Sequence, residues 1–358
     1  MGAYYYPGWH HCPERDRAFP KKWSEWDLVY QATARFAGHE QPNLPLSGRY
    51  DESDPASFPT RIDLARNAGV THFIFAFYWS RGLQVLNQAL TKGFLPCAAG
   101  ASFRFAVMWA NRMPRRVLPV RDPNAATLDP QRFVHTDPDD FLALITYLAD
   151  HFFAQANYFR WNGGLYFSIF DTSFFLRQMG MDGAQRAIAS ARQVLAARRL
   201  GPLHLAAIDP VPEFQPHLRE IGFDSMTHYM KLPDWKGPNT QDYRQLITQR
   251  IPEWETVSAE SGLPYVPSVA PGWDATPRAV DYGKEKPQRY PWSPIVTGRS
   301  PEAFAEFVRA GVAFARRSHD PEPLLHIASW NEWSEGHYLE PDQRYGHAWL
   351  EAVRRGSV

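Results

Sequence analysis

Short runs of β-branched and aromatic residues recur from one end of the chain to the other, and most are separated by amphipathic stretches long enough for a helix. That alternation restricts the fold more than any other feature. A strand, a crossover helix and a second strand in the same direction make a parallel sheet with helices on its faces. Eight runs carry the pattern, at residues 2–8, 71–79, 103–111, 165–171, 203–209, 223–229, 265–273 and 324–330. Several are apolar throughout, as strands covered on both faces must be. Helical patterns are clearest over 138–153, 183–199, 240–261, 301–317 and 343–354. Asp137 before Pro138 and Ser300 before Pro301 read as N-caps followed by proline at the first helical position. Eight strands with intervening helices predict an α/β fold, the (β/α)8 TIM barrel, about 250 residues in its usual form. This chain has 358 residues, and the surplus falls into long βα loops at 9–59, 112–136, 230–239 and 274–298. They follow strand ends and are rich in proline and aromatic residues, so they are expected to wall a mouth and not to link domains. Residues 1–358 are expected to form a single domain.

Composition narrows the partners. Lys plus Arg and Asp plus Glu are both 38, with no block of either sign, which speaks against nucleic acid or anionic lipid. No apolar run approaches the roughly 18 to 20 residues of a membrane helix, so no membrane insertion is expected. No signal sequence precedes the first strand. The chain as it stands reads as cytoplasmic, or as secreted or periplasmic if a signal peptide was removed. Cys12 and Cys97 form no CxxC pair, which leaves one disulfide open and excludes a zinc knuckle. Aromatic residues make up 15% of the chain, and flat aromatic surface is what sugar-binding sites use for stacking. The sequence does not specify an oligomeric state.

A barrel places its reactive groups at the carboxyl ends of the strands. Taken in order, those ends supply Tyr5, Trp9 and His10; Tyr78 and Trp79; Trp109 and Asn111; Asp171; Asp209; His228 and Tyr229; and Trp273 with Asp274. The last run leads into Asn331, Glu332, Trp333 and Glu335. Each aromatic residue here either lines a sugar subsite or caps the core, and each Asp either holds a hydroxyl or caps the next helix. Two carboxylates three residues apart among tryptophans are partly desolvated, which raises a carboxyl pKa toward neutrality and suits proton donation. Positions three apart on a strand face opposite sides. Both acids serve one site only if the chain leaves strand geometry after Asn331, and Gly336 permits such a turn. On spacing alone, an active-site pair and two loop acids paired with an arginine remain equally open. His10, His11 and His228 with Glu335, His337 and Asp342 invite a metal reading. No HExxH or similar local pair supports it, and neither metal nor cofactor is expected.

Residues 329–342 read Ser-Trp-Asn-Glu-Trp-Ser-Glu-Gly-His-Tyr-Leu-Glu-Pro-Asp, followed by Tyr345-Gly346. The chain opens on Ala3-Tyr4-Tyr5-Tyr6-Pro7-Gly8-Trp9-His10, with Trp23-Ser24-Glu25-Trp26, Gly38-His39-Glu40-Gln41-Pro42 and Tyr50-Asp51 after it. Phe73-Ile74-Phe75-Ala76-Phe77-Tyr78-Trp79 and Met108-Trp109-Ala110-Asn111 lie between. Together these segments resemble glycoside hydrolase family 99-like proteins along nearly the whole chain. The resemblance implies a retaining glycosidase barrel acting on α-mannoside-like or α-L-rhamnoside-like linkages of an oligosaccharide or polysaccharide. It further implies that Glu332 takes the proton of the substrate 2-hydroxyl, which attacks the anomeric carbon to give a 1,2-anhydro sugar. Glu335 would then protonate the leaving oxygen and later deprotonate water. The opening Tyr-Pro-Gly-Trp-His replaces the Leu-Pro-Gln-Phe-His of many members, a change that bears on the sugar contacted. Relatives of this kind accompany polysaccharide gene clusters. A glycosyltransferase-type biosynthetic role and a non-catalytic carbohydrate-binding barrel are therefore the alternatives, although no GxGxxG segment supports the former.

Overall fold

The computed structural model describes residues 1–17, 22–111, 137–282, 288–318 and 321–358. Every one of the expected apolar runs contains parallel strand. The barrel strands are β1 (Gly2–Tyr5), β2 (His72–Ser80), β3 (Arg104–Trp109), β4 (Gly164–Ile169) and β5 (Leu203–Ile208). They continue as β6 (Ser225–Thr227), β7 (Tyr265–Val266), β8 (Ser268–Val269) and β9 (His326–Ile327). The seventh run is split into β7 and β8 at Pro267, which has no N–H to give a ladder. The hydrogen-bonded order is β7-β6-β5-β4-β3-β2-β1-β9-β8. Since β7 pairs with β6 and β8 with β9, the two halves of one run join the ends of the sheet. The result is a (β/α)8 TIM barrel, and most of its strands are shorter than the runs that announce them, although β2 keeps the full nine residues.

Helices begin where the capping residues place them. Asp137 Oδ1 accepts the Asp140 N–H at 2.8 Å and starts Pro138–Leu148, which continues through a wider turn to Phe153. Ser300 Oγ accepts the Ala303 N–H at 3.2 Å at the head of Pro301–Ser318. Met181–Ala197 corresponds to the expected 183–199. Two expectations are corrected at their starts. Residues 240–242 form a short strand beside Ile295–Thr297, so that helix runs only over Tyr243–Ser261. The Asp342 carboxylate accepts the N–H groups of Arg344 and Tyr345, which folds 342–346 into a turn and delays the last helix to Ala348–Gly356. Among the long loops, 9–59 carries the helix Trp26–Gln31 and 274–298 the 3-10 turn Thr276–Tyr282. The loop expected at 112–136 lies outside the described residues. Cys12 and Cys97 are separate buried thiols, so the disulfide left open by the sequence does not form. Among the described residues, no helix is long and apolar enough to cross a membrane.

Side chains at the strand ends do much of the bracing. Asn111 Nδ2 donates to the Asp171 carbonyl at 2.8 Å, and Asn111 Oδ1 accepts the Asp171 N–H at 2.7 Å. This pair of bonds ties the exit of β3 to the exit of β4, and Asp171 Oδ1 then caps the next helix through the Phe174 N–H at 2.8 Å. Both residues were expected to touch substrate. These bonds hold backbone, which is the helix-capping alternative for Asp171. Asn111→Ala leaves the Asp171 N–H and C=O unmatched in a buried place, and should lower the unfolding free energy by about 2 kcal/mol. A urea melt checks this; an unchanged midpoint would show that the brace contributes nothing.

Candidate active site

The chain turns out of strand geometry at Trp333, two residues beyond Asn331, after which the pairing of the two acids required a turn. Asn331–Glu332 pairs antiparallel with His337–Tyr338, and a 3-10 turn over Trp333–Glu335 joins them. Gly336 ends the turn at φ +70°, where a Cβ would lie 2.8 Å from the Asp274 backbone nitrogen, so only glycine fits. Ser329 Oγ donates to the His337 carbonyl and accepts the Glu332 N–H, both at 2.9 Å. The Asp274 N–H donates to the Glu335 carbonyl at 2.8 Å. Glu332 and Glu335 consequently both line a cavity of about 1000 Å³ at the barrel mouth.

Arg278, from the 3-10 turn after β8, reaches both carboxylates. Its Nη2 lies 3.1 Å from Glu332 Oε1, its Nη1 bonds Glu335 Oε1, and its Nε donates to Glu25 Oε1 at 2.7 Å. Glu25 also accepts from Ser334 Oγ at 2.7 Å and from the Tyr6 hydroxyl, and faces Arg15 Nη1 at 3.6 Å. The Tyr229 hydroxyl donates to Glu332 Oε2. The Tyr290 hydroxyl donates to Glu335 Oε1 at 2.8 Å, although that residue as a whole is 38% exposed. His337 Nε2 bridges the pair, 3.6 Å from Glu332 Oε2 and 3.4 Å from Glu335 Oε2. Trp273 stacks on the His337 ring at 5.5 Å.

The two acids are chemically unlike. Burial disfavours the charge on Glu332, the neighbouring Glu335 adds repulsion, and together they push its carboxyl up to about 7. Burial acts in the same sense on Glu335. There, however, Arg278, His337 and the Tyr290 hydroxyl outweigh it and hold the carboxyl down at about 2. Below about pH 7 the pair holds one proton, and the cation and hydrogen-bond donors around Glu335 favour its resting on Glu332. Oxygens of the two carboxylates and a His337 nitrogen lie within 4.8 Å of one another, a spacing a divalent ion also uses. The Arg278 guanidinium already neutralises that space and would repel such an ion.

Of the residues expected at the substrate, Tyr78, Asp209, His228, Tyr229 and Trp273 line the cavity with the two glutamates. The others are turned elsewhere. Tyr5 packs on Phe75 and Phe58, at 4.6 and 5.8 Å between ring centroids. Trp9 Nε1 donates to the Asn331 carbonyl at 2.9 Å, and Asn331 itself clasps the Tyr6 backbone through both side-chain atoms. Trp79, Trp109 and Trp333 spend their indole N–H on Asp140, the Trp79 carbonyl and Glu340. These tryptophans are core caps because adjacent strand-end side chains point to opposite faces and only one face opens on the mouth. The histidines expected to suggest a metal do not converge: His10 bonds Glu52, His11 bonds Asp16 and His228 bonds Tyr265. Arg278, Tyr290 and the bridging role of His337 were not expected. Glu25 had a visible signal, since it too is a carboxylate set between tryptophans.

Because the folded-state pKa of Glu332 exceeds the ordinary carboxyl value of 4.5, its contribution to stability is full below that pH and is lost as pH rises through about 7. Glu332→Gln removes this loss. Relative to wild type, the variant should gain stability between about pH 4.5 and 7, by about 3 kcal/mol at most. Thermal unfolding across that range tests it, and a difference independent of pH would mean that Glu332 is ionised throughout.

The curated relatives include the uncharacterized protein WxcX of Xanthomonas campestris pv. campestris, 28% identical over 372 residues that cover 99% of this chain and 49% of that protein. The chain thus spans about half the length of the curated relatives it matches. Among solved structures, a GH99 endo-alpha-mannosidase from Bacteroides thetaiotaomicron superposes with a TM-score of 0.61 at 15% identity, covering 99% of this chain and 94% of that one. A glycoside hydrolase-like protein gives a TM-score of 0.59 at 18% identity, over 99% and 92% of the two chains. These superpositions bear out the family 99-like fold expected from the motifs. Residues 1–353 match the family described as glycosyltransferase WbsX, and the chain belongs to that family.

Proposed function

We propose that residues 1–358 form one catalytic domain that cleaves glycosidic bonds with retention, at α-mannoside-like or α-L-rhamnoside-like 1,2-trans linkages, through a 1,2-anhydro sugar. The observation that carries the reading is the Glu332–Glu335 pair, close together on the wall of one cavity and sharing one proton. Oxygens of the two carboxylates lie within 4.8 Å of each other, close enough for both acids to act on one sugar. Tyr78, Asp209, His228, Tyr229 and Trp273 are the cavity residues proposed to hold the sugar. In the 1,2-anhydro route the bond from O2 to the anomeric carbon forms as the bond to the leaving oxygen breaks. The O2 proton goes to one glutamate and the leaving oxygen takes a proton from the other. Water then reopens the ring with a second inversion, which restores the starting configuration.

The family resemblance makes Glu332 the base and Glu335 the acid. The resting charge distribution supports a second reading in which the roles are exchanged, since the proton sits on Glu332. The first assignment requires the proton to pass to Glu335, and His337 Nε2, within 3.6 Å of an oxygen of each acid, offers the path. The family description also keeps a transfer role in view: a sugar hydroxyl can replace water as the final nucleophile on the same two carboxylates.

The acid is the residue whose Gln variant loses activity on poor leaving groups yet spares activated aryl glycosides. Glu335→Gln should behave that way and Glu332→Gln should damage every substrate; the opposite pattern would establish the exchanged roles. Product formed with retained configuration by NMR, and no turnover of 2-deoxy glycosides, is expected of the anhydro route. First-formed product of inverted configuration would end it.

A further inference from the structure

Trp235 lines the same cavity as the two glutamates and is nevertheless 52% exposed. An indole held that open in a cavity wall marks a surface that a ligand covers. Its exposure is built into the loop. Trp235 sits on a tight turn in which the Gly237 N–H donates to the Asp234 carbonyl at 3.1 Å and Asp234 Oδ1 accepts the Lys236 N–H at 3.0 Å. The buried Gln241 side chain fixes this turn: its Oε1 accepts the Asp234 N–H at 2.9 Å, and its Nε2 donates to the Asp234 and Pro238 carbonyls at 2.7 and 2.9 Å. The Trp235 ring stands edge-on to Trp273, 5.0 Å between centroids at 82°. Trp273 in turn stacks on His337, the residue that bridges the acids. Two ring contacts therefore separate Trp235 from His337, and a group laid on it is not the sugar ring under attack.

We propose that Trp235 is the platform of a second sugar subsite, which stacks the C–H face of a pyranose linked to the one held at Glu332 and Glu335. The inference rests on the glycoside-cleaving reading above and makes the substrate an oligosaccharide. An indole face is electron-rich and a pyranose presents polarised C–H groups on its apolar face, so the two attract without a charged partner. Asp209 and Asp234 line the same cavity and supply acceptors for ring hydroxyls. A nucleobase would also stack on an indole, but it would bring a phosphate that needs cations. Of the cations in the cavity wall, Arg15, Lys231, Arg250 and Arg278 are each already paired with a carboxylate, at Glu25, Glu253, Glu253 and the Glu25–Glu332–Glu335 group, while Lys236, next to Trp235, makes no ion pair among the described residues. One lysine is thus left for a phosphate, so a neutral sugar is the occupant proposed and the nucleotide is the competing outcome of the test.

The test is calorimetric titration of the full chain carrying Glu335→Gln, which stops turnover, with methyl α-mannoside, α-mannotetraose, methyl α-L-rhamnoside, α-L-rhamnotetraose and uridine monophosphate. One tetrasaccharide should bind more tightly than its methyl glycoside, and adding Trp235→Ala should reduce that advantage about tenfold. An advantage unchanged by Trp235→Ala overturns the subsite alone. Trp235-dependent binding of the nucleotide without either tetrasaccharide overturns it in favour of a nucleotide site. Failure of every saccharide to bind at millimolar concentration overturns the subsite together with the glycoside reading.

Discussion

The site depends on a single guanidinium. Arg278 is buried and touches three carboxylates, Glu25, Glu332 and Glu335. Burying such a set is tolerable only when its charges balance. Arg15 supplies a second cation beside Glu25. Two positive charges then meet two negative ones, on Glu25 and Glu335, and the third carboxyl is driven toward its protonated form. The elevated pKa of Glu332 is in this sense a consequence of counting charges in a dry space, with the Tyr229 hydroxyl and His337 grading where the proton rests. An acid ready to give a proton and a base ready to take one arise from two residues of the same type.

That balance requires the acids to be held by backbone, since no long side chain could fix them as closely. The hairpin after β9 does so within a few residues. Its Ser329 hydroxyl bonds both arms, its Gly336 lets the chain approach Asp274, and Asn331 pins it to the loop after β1. Around the barrel mouth Trp9, Trp79, Trp109 and Trp333 bond their indole N–H groups inward. Rigidity of this kind is what a site needs if two carboxylates are to keep different pKa values with oxygens within 4.8 Å.

The barrel was legible because both-face burial leaves a mark on every strand, and each of the apolar runs contains strand, the seventh in two pieces. The interruption at Pro267 carries only the proline as its signal, because the run around it is otherwise apolar. The glutamate pair was legible too, along with the turn that unites it. What escaped was the company it keeps. Arg278 and Tyr290 come from an irregular loop, 57 and 45 residues before Glu335, where no periodicity reports which side chain turns inward. The tryptophans misled for the opposite reason. Trp79, Trp109 and Trp333 stand at strand ends as expected of subsite residues, but an indole there can equally bond inward, and only the three-dimensional placement of Asp140, the Trp79 carbonyl and Glu340 shows that it does.

A hydrolase-like fold and a family described as glycosyltransferases are compatible in one chemistry. Opening a strained sugar intermediate takes a hydroxyl and a carboxylate to accept its proton, and water and a sugar alcohol both qualify. Which of them arrives is decided by what occupies the mouth of the cavity. An aromatic ring held open by a braced turn, as Trp235 is by Gln241, favours a second sugar over bulk water on that side. The same feature that would lengthen a hydrolase's substrate would position an acceptor for transfer, so the distinction belongs to the loops around the mouth and not to the glutamates beneath them.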